Sequence, residues 1–457
     1  MRLGELVDVP LTPPAADVEI TGLAFDNRAV EPGTLFFCVP GFTRDGHDYA
    51  ADAIARGAAA LVVERELDVD VPQVRVPSAR AAMAPVAARF CGDPTARLTV
   101  VGVTGTNGKT TSCFLIRELL EAGGIPTALL GTVKSVVGGR EAPLERTTPE
   151  AIELQRAFAA MLDAGDRACA MEVSSHALEL HRVDAIHWSV AVFTNLYREH
   201  LDWHGSAERY AADKLRLARL EEVETVVANA RDPRLAGLFE LPKRVLAFGR
   251  APGFEPSAEG IVREGATVIP AERVPLLGTH NLLNVCAALA ALEALGVELP
   301  DPAAALEDFE PLPHRLEPVA GTPGPALWVN DSISTTPEST MAALEAFRGR
   351  PLIVIAGGFD RRQDYGELGR ALAESARVVI GVPDTGGRIV QAVREAGASD
   401  CRTYEAADLA EAVAIAARHA GPDSVVLLSP AAPSFGAYRD FEARGRHFRE
   451  LALASGG

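Results

Sequence analysis

The sequence has no CxxC pair and no metal-finger spacing: its six cysteines (Cys38, Cys91, Cys113, Cys169, Cys286, Cys401) are scattered. They read as buried, reduced thiols rather than as a disulfide framework or a zinc site. No apolar run reaches the roughly 18 residues that a membrane-spanning helix needs. The N-terminus, MRLGELVDVP, carries Glu5, Asp8 and Pro10 where a signal peptide needs an apolar core. The expectation is a cytoplasmic protein without membrane insertion. Positive charge is also scarce. Lys and Arg number 44 against 62 Asp and Glu, a net charge of −18, and nucleic acid is bound through positive charge, so that class of partner is excluded. Low-complexity tracts and sustained short-period repeats are missing as well.

What is present is a chain of 457 residues, 48% of them apolar. That exceeds the reach of one core and implies two or three domains. The chain is organised around LTVVGVTGTNGKTTSCFLIRELLEA, residues 98–122. A β-branched run leads into a Gly-bearing turn, and Phe114, Leu115, Leu119 and Leu120 recur at helical spacing, so the order is strand, loop, helix. Gly105 and Gly108 let backbone N–H groups close around an anion at the new helix's N-terminus. Lys109 supplies a point charge for phosphates, and a hydroxyl of Thr110 or Thr111 can hold Mg²⁺. The general phosphate-loop pattern fails by one residue, because Val103 stands where its first Gly belongs.

Before this loop, ITGLAFDNRAVEPGTLFFCV predicts two short strands around a DNR turn, and HDYAADAIARGAAALVVE a helix entering a strand through Gly57. PGFTRDGHDY between them is a polar loop, filler or ligand contact. DPTARL reads as a linker. Behind the phosphate loop, Thr147 and Thr148 precede Pro149 and a helix, as a cap would. ACAMEVSSHAL puts Glu172 at a strand end, and SVAVFTNLYREHLDWHG puts Asn195, Glu199, His200 and Asp202 at another. Carboxyl strand ends beside a phosphate loop are where open parallel sheets bind ligands, and oxygen-rich ligation with one imidazole suits Mg²⁺ or Mn²⁺. Lys214 lies on a helical segment and by itself reads as a solvated lysine. VPLLG reads as a strand ahead of a helix whose His280, Asn281 and Asn284 cap it or face a ligand. Pro311 and Pro313 mark a joint. Beyond it, strands and helices alternate with short Gly turns, which predicts a mostly parallel, doubly wound α/β sheet.

GTNGKTT, MEVSSHAL, FTNL with HLDWHG, YAADK and GTHNLLNVCAA occur here in the order and approximate spacing found in the Mur ligases, which build the peptidoglycan stem. The chain resembles that family over essentially its whole length. Through about residue 290 it is most similar to the tripeptide-synthetase branch (MurE), including ITGLAFDNR and PGFTRDGHDY. LPHRLE, VNDSISTTPE, IAGGFDRR and LLSPAAPSFGAYRDFEARG resemble the glutamate-adding branch (MurD) instead. The resemblance implies three domains: residues 1–97 for uridine, 98–313 around the ATP-binding phosphate loop, and 314–457, Rossmann-like, for the amino acid. It implies that ATP phosphorylates the terminal carboxylate of a UDP-N-acetylmuramoyl peptide and that an amino acid attacks the acyl phosphate.

By the family's motifs, Gly105, Thr106, Asn107, Gly108, Lys109, Thr110 and Thr111 cradle ATP together with His280, Asn281, Arg315 and Asp331. Thr110, Glu172 and His200 hold metal, joined by Lys214 if it carries a CO₂-derived carbamate. Asn27, Arg28, Thr147, Thr148, Ser174 and Arg182 match acceptor positions, and Thr335, Arg361, Ser434 and Phe441 match positions around glutamate. Departures are Asn27 for Ser, Glu199 for Asp, Leu180 for Gln, Arg361 and Ile333 for Lys, and the missing DNPR motif of the diaminopimelate enzymes. A guanidinium at Arg361 suits a side-chain carboxylate, so glutamate is the expected incoming acid, with diaminopimelate or lysine as the alternative. The expected enzyme is a monomer. A non-ligating NTPase and a UDP-sugar sensor are the readings from other classes.

Overall fold

In a computed structural model of the chain every residue is described except 42, 145, 198, 200, 277, 308, 310, 311, 398, 399, 456 and 457 and the side chains of 201 and 202. His200 and Pro311 therefore lie outside the described residues, as does the side chain of Asp202.

The N-terminal sheet is all parallel, with β1 (Gly22–Ala24), β2 (Thr34–Phe37), β3 (Ala58–Val63) and β4 (Gln73–Arg75) in sequential order. Phe37, Ala60 and Val62 face helix Ala79–Phe90, whose Met83 and Ala87 close that core. Ser78 Oγ starts the helix by accepting from Ala81 N.

The central sheet comprises β5 (Thr99–Thr104), β6 (Thr127–Leu130), β7 (Ser135–Val137), β8 (Arg140–Ala142), β9 (Ala168–Glu172), β10 (Trp188–Phe193), β11 (Val223–Asn229) and β12 (Arg244–Phe248). Their order is β12-β11-β10-β5-β9-β6-β7-β8, parallel up to the antiparallel β7 and β8. The chain leaves β5 for β6 on one side and later returns to β10 on the other. The carboxyl ends of β5, β9 and β10 thus flank a topological switch point. VVGV, ACAM and VAVF are buried without alternation, as strands covered on both faces must be.

A small sheet of β13 (Glu255–Ser257), β14 (Gly260–Arg263) and β15 (Ala266–Pro270) follows. The last sheet holds β16 (Glu317–Pro318), β17 (Leu327–Asn330), β18 (Leu352–Ala356), β19 (Ala376–Gly381), β20 (Arg402–Glu405) and β21 (Val425–Leu428) in the order β16-β17-β21-β18-β19-β20. All but β16 run parallel. β18, β19 and β20 advance to one side and β21 returns to the other side of β18, which makes a second switch point. The strand side chains pack into a core on each face, one around Val354 and Leu372, the other around Ile355 and Val413.

By packing, one unit consists of Met1–Glu255, Val262–Ala266 and Asn284–Ala305, and the other of Pro256–Ile261, Thr267–Leu283 and Leu306–Gly457. Among the described residues no helix is long and apolar enough to cross a membrane. Two sequence expectations are corrected. Thr147 and Thr148 do not cap the following helix, Ala151–Ala164, whose N-cap is Glu150; the Thr148 hydroxyl is spent on Glu172 O instead. The described residues of VPLLG form no strand. The β7–β8 hairpin and the β13–β15 sheet appear in no sequence reading.

Candidate active site

The loop after β5 closes because two of its glycines do what no other residue can. Gly108 has φ +87°, and a Cβ there would stand 2.4 Å from Asn284 Oδ1; at Gly105, φ is +145° and a Cβ would stand 1.9 Å from Thr194 Oγ1. Helix Lys109–Ala122 starts at once. Lys109 folds back, its Nζ donating to Gly105 O at 2.9 Å and Thr106 O at 2.8 Å. Asn195, past the end of β10, staples the loop: Asn107 N donates to its Oδ1 at 2.9 Å and its Nδ2 donates to Asn107 O at 3.0 Å. Thr194 Oγ1 adds a bond of 2.7 Å to the same carbonyl.

Glu172, at the end of β9, is 1% exposed. Its Oε1 accepts from Thr110 Oγ1 at 2.9 Å and from Thr132 N at 2.7 Å, and its Oε2 accepts from Thr132 Oγ1 at 3.1 Å. Burial raises its pKa, against the pull of Lys109 and these hydrogen bonds. Between the two candidate hydroxyls, it is that of Thr110 that reaches this carboxylate.

Lys214 overturns the reading of a solvated lysine. Helix Ala207–Arg219 turns it inward, 2% exposed, and its Nζ donates to Gly105 O at 2.7 Å. Burial above all, and then the charge of Lys109, hold its pKa well below the ordinary lysine value. The helix is braced on both sides. Tyr210 OH lies 2.9 Å from Thr106 Oγ1, and His204 bridges Asp213 Oδ2 (2.7 Å) and Ser175 Oγ (3.0 Å). Glu179, His204 and Asp213 present ligand atoms within 4.8 Å of one another, and these atoms are taken up by mutual contacts and by Ser175, Trp203 and Arg209.

The four acceptor candidates of the central region come together. Thr148 Oγ1 donates to Glu172 O (2.9 Å) and accepts from Ser174 N (3.1 Å), Arg182 Nη1 donates to Thr148 O (3.1 Å), and Thr147 Oγ1 lies 3.0 Å from Thr132 Oγ1. Asn27 and Arg28 engage their own surroundings, Asn27 Nδ2 on Asp52 Oδ2 and Arg28 on Asp26.

In the C-terminal unit, Asp331 is fully buried at the end of β17, where it accepts from Ser429 Oγ (2.8 Å) and Leu316 N (3.2 Å). Burial raises its pKa. Arg315 donates to Ser334 Oγ at 3.1 Å. The Nε2 of His280 is shielded, with no hydrogen-bond partner among the described residues, and burial, helped by Arg315, pushes its pKa down to about 3. Asn281 is buried. Past the ends of β18, β19, β20 and β21 lies a cavity of about 350 Å³, lined by Gly357, Gly358, Val382, Asp408, Ser434, Phe435 and Arg444 among others. Ser434 thus lines it and Arg361 stacks on its Phe435 (5.8 Å to the ring centre), whereas Thr335 and Phe441 are not among its walls.

Three family models match in succession: the Mur ligase catalytic domain at residues 19–93, the middle domain at 103–292 and the glutamate ligase domain at 314–432. A Geobacillus kaustophilus protein named UDP-N-acetylmuramoyl-L-alanyl-D-glutamate–2,6-diaminopimelate ligase is 42% identical over 364 residues, covering 75% of this chain and 74% of that one. The chain belongs to the Mur ligase family. A Deinococcus radiodurans UDP-N-acetylmuramyl-tripeptide synthetase is 34% identical over 95% of both chains. A solved structure of a diaminopimelate ligase of the same name aligns with a TM-score of 0.73 at 24% identity, over 100% of this chain and 99% of that one, and supports the three-domain Mur ligase fold.

As a Mur ligase the chain is an ATP-dependent acid–amino-acid ligase of peptidoglycan synthesis. The readings as a non-ligating NTPase or a sensor fall away. The expectation of glutamate as incoming acid finds no support among these relatives. Hard oxygen donors converge from Thr110 and Glu172, a set that fits Mg²⁺. Sequence reasoning missed Thr132, Tyr210 and His204. Thr132 had a signal, a hydroxyl one glycine past the end of the apolar strand TALL.

Proposed function

We propose that this Mur ligase is a tripeptide synthetase, joining diaminopimelate or lysine to UDP-N-acetylmuramoyl-L-alanyl-D-glutamate. The observation that carries the reading is the 42% identity to a relative named for that acceptor and for 2,6-diaminopimelate. The residues around the loop support the chemistry. Loop N–H groups, Lys109 and the N-terminus of its helix face the phosphates, and the carboxylate to be activated lies on the Thr147–Ser174 side. Such phosphoryl transfer rests on positioning and charge neutralisation. Thr110 and Glu172, with His200 by its match to the family motif, would hold Mg²⁺, which would supply positive charge against the phosphates. Lys214, buried and with its pKa held well below the ordinary lysine value, is suited to a carbamate: the nitrogen of its neutral amine adds to the carbon of CO₂, one N–H proton leaves to solvent, and an anion replaces a neutral group beside the loop. By their match to the family's motifs, Asn281, Arg315 and Asp331 serve the adenine, a phosphate and the ribose of ATP, with His280 beside them, Asn27 and Arg28 the uridine, and Thr335, Arg361, Ser434 and Phe441 the incoming acid.

The test is phosphate release with ATP and Mg²⁺, crossing UDP-N-acetylmuramoyl-L-alanine and its D-glutamyl extension with D-glutamate, L-glutamate, meso-diaminopimelate and L-lysine. Turnover with the longer acceptor plus diaminopimelate or lysine is expected. Turnover confined to the shorter acceptor plus a glutamate overturns the reading.

A further inference from the structure

Ser175, His204 and Asp213 take no part in the chemistry proposed above, yet they form one hydrogen-bonded chain. His204 Nδ1 donates to Asp213 Oδ2 at 2.7 Å, since a carboxylate only accepts, and its Nε2 lies 3.0 Å from Ser175 Oγ. The order is that of a nucleophile, its base and an orienting carboxylate. Nucleophilic chemistry is nevertheless closed to it: Ser175 and His204 are each 2% exposed, so no substrate carbonyl reaches the hydroxyl. The imidazole is enclosed as well. Glu179 Oε2 stands 3.8 Å from Nδ1, and the rings of Tyr210 and His176 are 5.4 and 5.5 Å away between centres. A ring gripped at both nitrogens and walled by its neighbours is a spacer of fixed length.

What the spacer joins gives it a use. Ser175 opens helix Ser175–Glu179 directly after Ser174, whose N–H donates to Thr148 Oγ1 at 3.1 Å among the acceptor candidates. Asp213 directly precedes Lys214 on helix Ala207–Arg219. Consecutive Cα atoms are about 3.8 Å apart, so a shift of Ser175 or Asp213 is passed almost whole to the site residue beside it. All of these residues belong to one packing unit. The helix itself does not depend on His204. Tyr210 OH, 2.9 Å from Thr106 Oγ1, ties it to the phosphate loop. Arg216 Nη2, at 2.8 and 2.7 Å from the two Asp184 oxygens, ties its last turn to the segment after β9. What His204 adds is a set distance between Lys214 and the acceptor segment.

We propose that His204 is a positioning residue which, through Ser175 and Asp213, holds Lys214 at a fixed distance from the acceptor segment, so that its loss is felt in the chemical step and not in nucleotide binding. The inference rests on the catalytic part given to Lys214 above. Groups that share one reacting centre lose rate steeply when their spacing drifts, and two segments 29 positions apart in sequence have only this chain of side chains to set it directly.

The experiment is a mutant cycle, assayed with whichever acceptor and amino acid of the grid above turn over. His204→Asn keeps a donor where Nδ1 stands and drops the contact with Ser175, and Ser175→Ala removes the same contact from its other end. Each should lower kcat about tenfold and leave the KM for ATP within about twofold of the intact enzyme. The two together should be no worse than either alone, as for residues that act as a unit. In a Lys214→Ala background, His204→Asn should cost less than about twofold further in kcat. Equal losses from His204→Asn in both backgrounds overturn the inference alone and make His204 a structural brace. So does a kcat unchanged in both single variants while the melting temperature of the ligand-free protein falls. A Lys214→Ala enzyme with full turnover overturns the part proposed for Lys214, and this inference with it.

Discussion

At the carboxyl end of the central sheet, the Asn107 peptide is held on both its N–H and its carbonyl by the single side chain of Asn195, and both oxygens of Glu172 are engaged. At the carboxyl end of the C-terminal sheet, past a switch point of the same kind, the chain leaves a cavity of about 350 Å³ with two exposed phenylalanines, Phe359 and Phe435, meeting edge to face nearby. One end is cross-linked before any ligand arrives and the other is open. The difference follows from what each must do. Phosphoryl transfer needs donors fixed in advance, because reorganising them during the reaction costs rate. A side chain of the incoming acid is recognised by space and a few polar groups. In the wall of the cavity Arg444 is deeply buried; it spends three N–H groups on Ser332 Oγ, Ser332 O and Ala432 O and has its pKa pushed down to about 10 by burial.

The contrast can be broken most severely at Glu172. Glu172→Gln should lower kcat by about a thousandfold, the order of loss seen when a group positioned for developing charge is removed. Yet it should raise the melting temperature of the ligand-free protein at neutral pH. Burial raises the folded-state pKa, so the ionised carboxylate opposes folding above the unfolded value and the gain vanishes as pH falls below it. A mutant with lower activity and lower stability would mean that the carboxylate serves packing.

Lys214→Ala should cost about a hundredfold in kcat and abolish any response to added bicarbonate. In the intact protein the pKa is depressed, so the reactive neutral amine, and with it ¹³CO₂ uptake read by NMR, should increase as pH rises through that depressed value. An active enzyme that takes up no CO₂ would remove the carbamate from the proposal.

Asn195→Ala frees the loop without touching phosphate chemistry. It should lower kcat/KM for ATP about tenfold, the worth of two buried hydrogen bonds, and leave the KM for the incoming acid alone. The mirror image is Ser434→Val, which should raise the KM for the incoming acid about fivefold, in line with the loss of one polar contact, with ATP unaffected. If both variants shift both substrates, the two sheet ends do not act separately.

Much of the central site was readable as text. GTNGKTT after a β-branched strand, and Glu172 at the end of ACAME, need only local rules, since strand, turn and helix N-terminus are set by neighbours in sequence. The C-terminal alternation of strands and helices was readable for the same reason. The antiparallel hairpin of β7 and β8 escaped because its strands are three residues each and β8 is wholly exposed, which leaves no apolar pattern.

The sequence by itself determined the family, the phosphate loop and the strand ends around it, because their signals span a few residues. Tertiary structure alone decided that Lys214 is buried against Gly105, 109 positions away, and that Thr132 closes on Glu172, 40 positions away. It also decided that Arg80 meets Glu150 across 70 positions. A lysine on an amphipathic helix and an arginine in a first helical turn have the same local pattern whether they face water or an active site. Only the packing of distant elements takes the water away, and with it changes charge, reach and role.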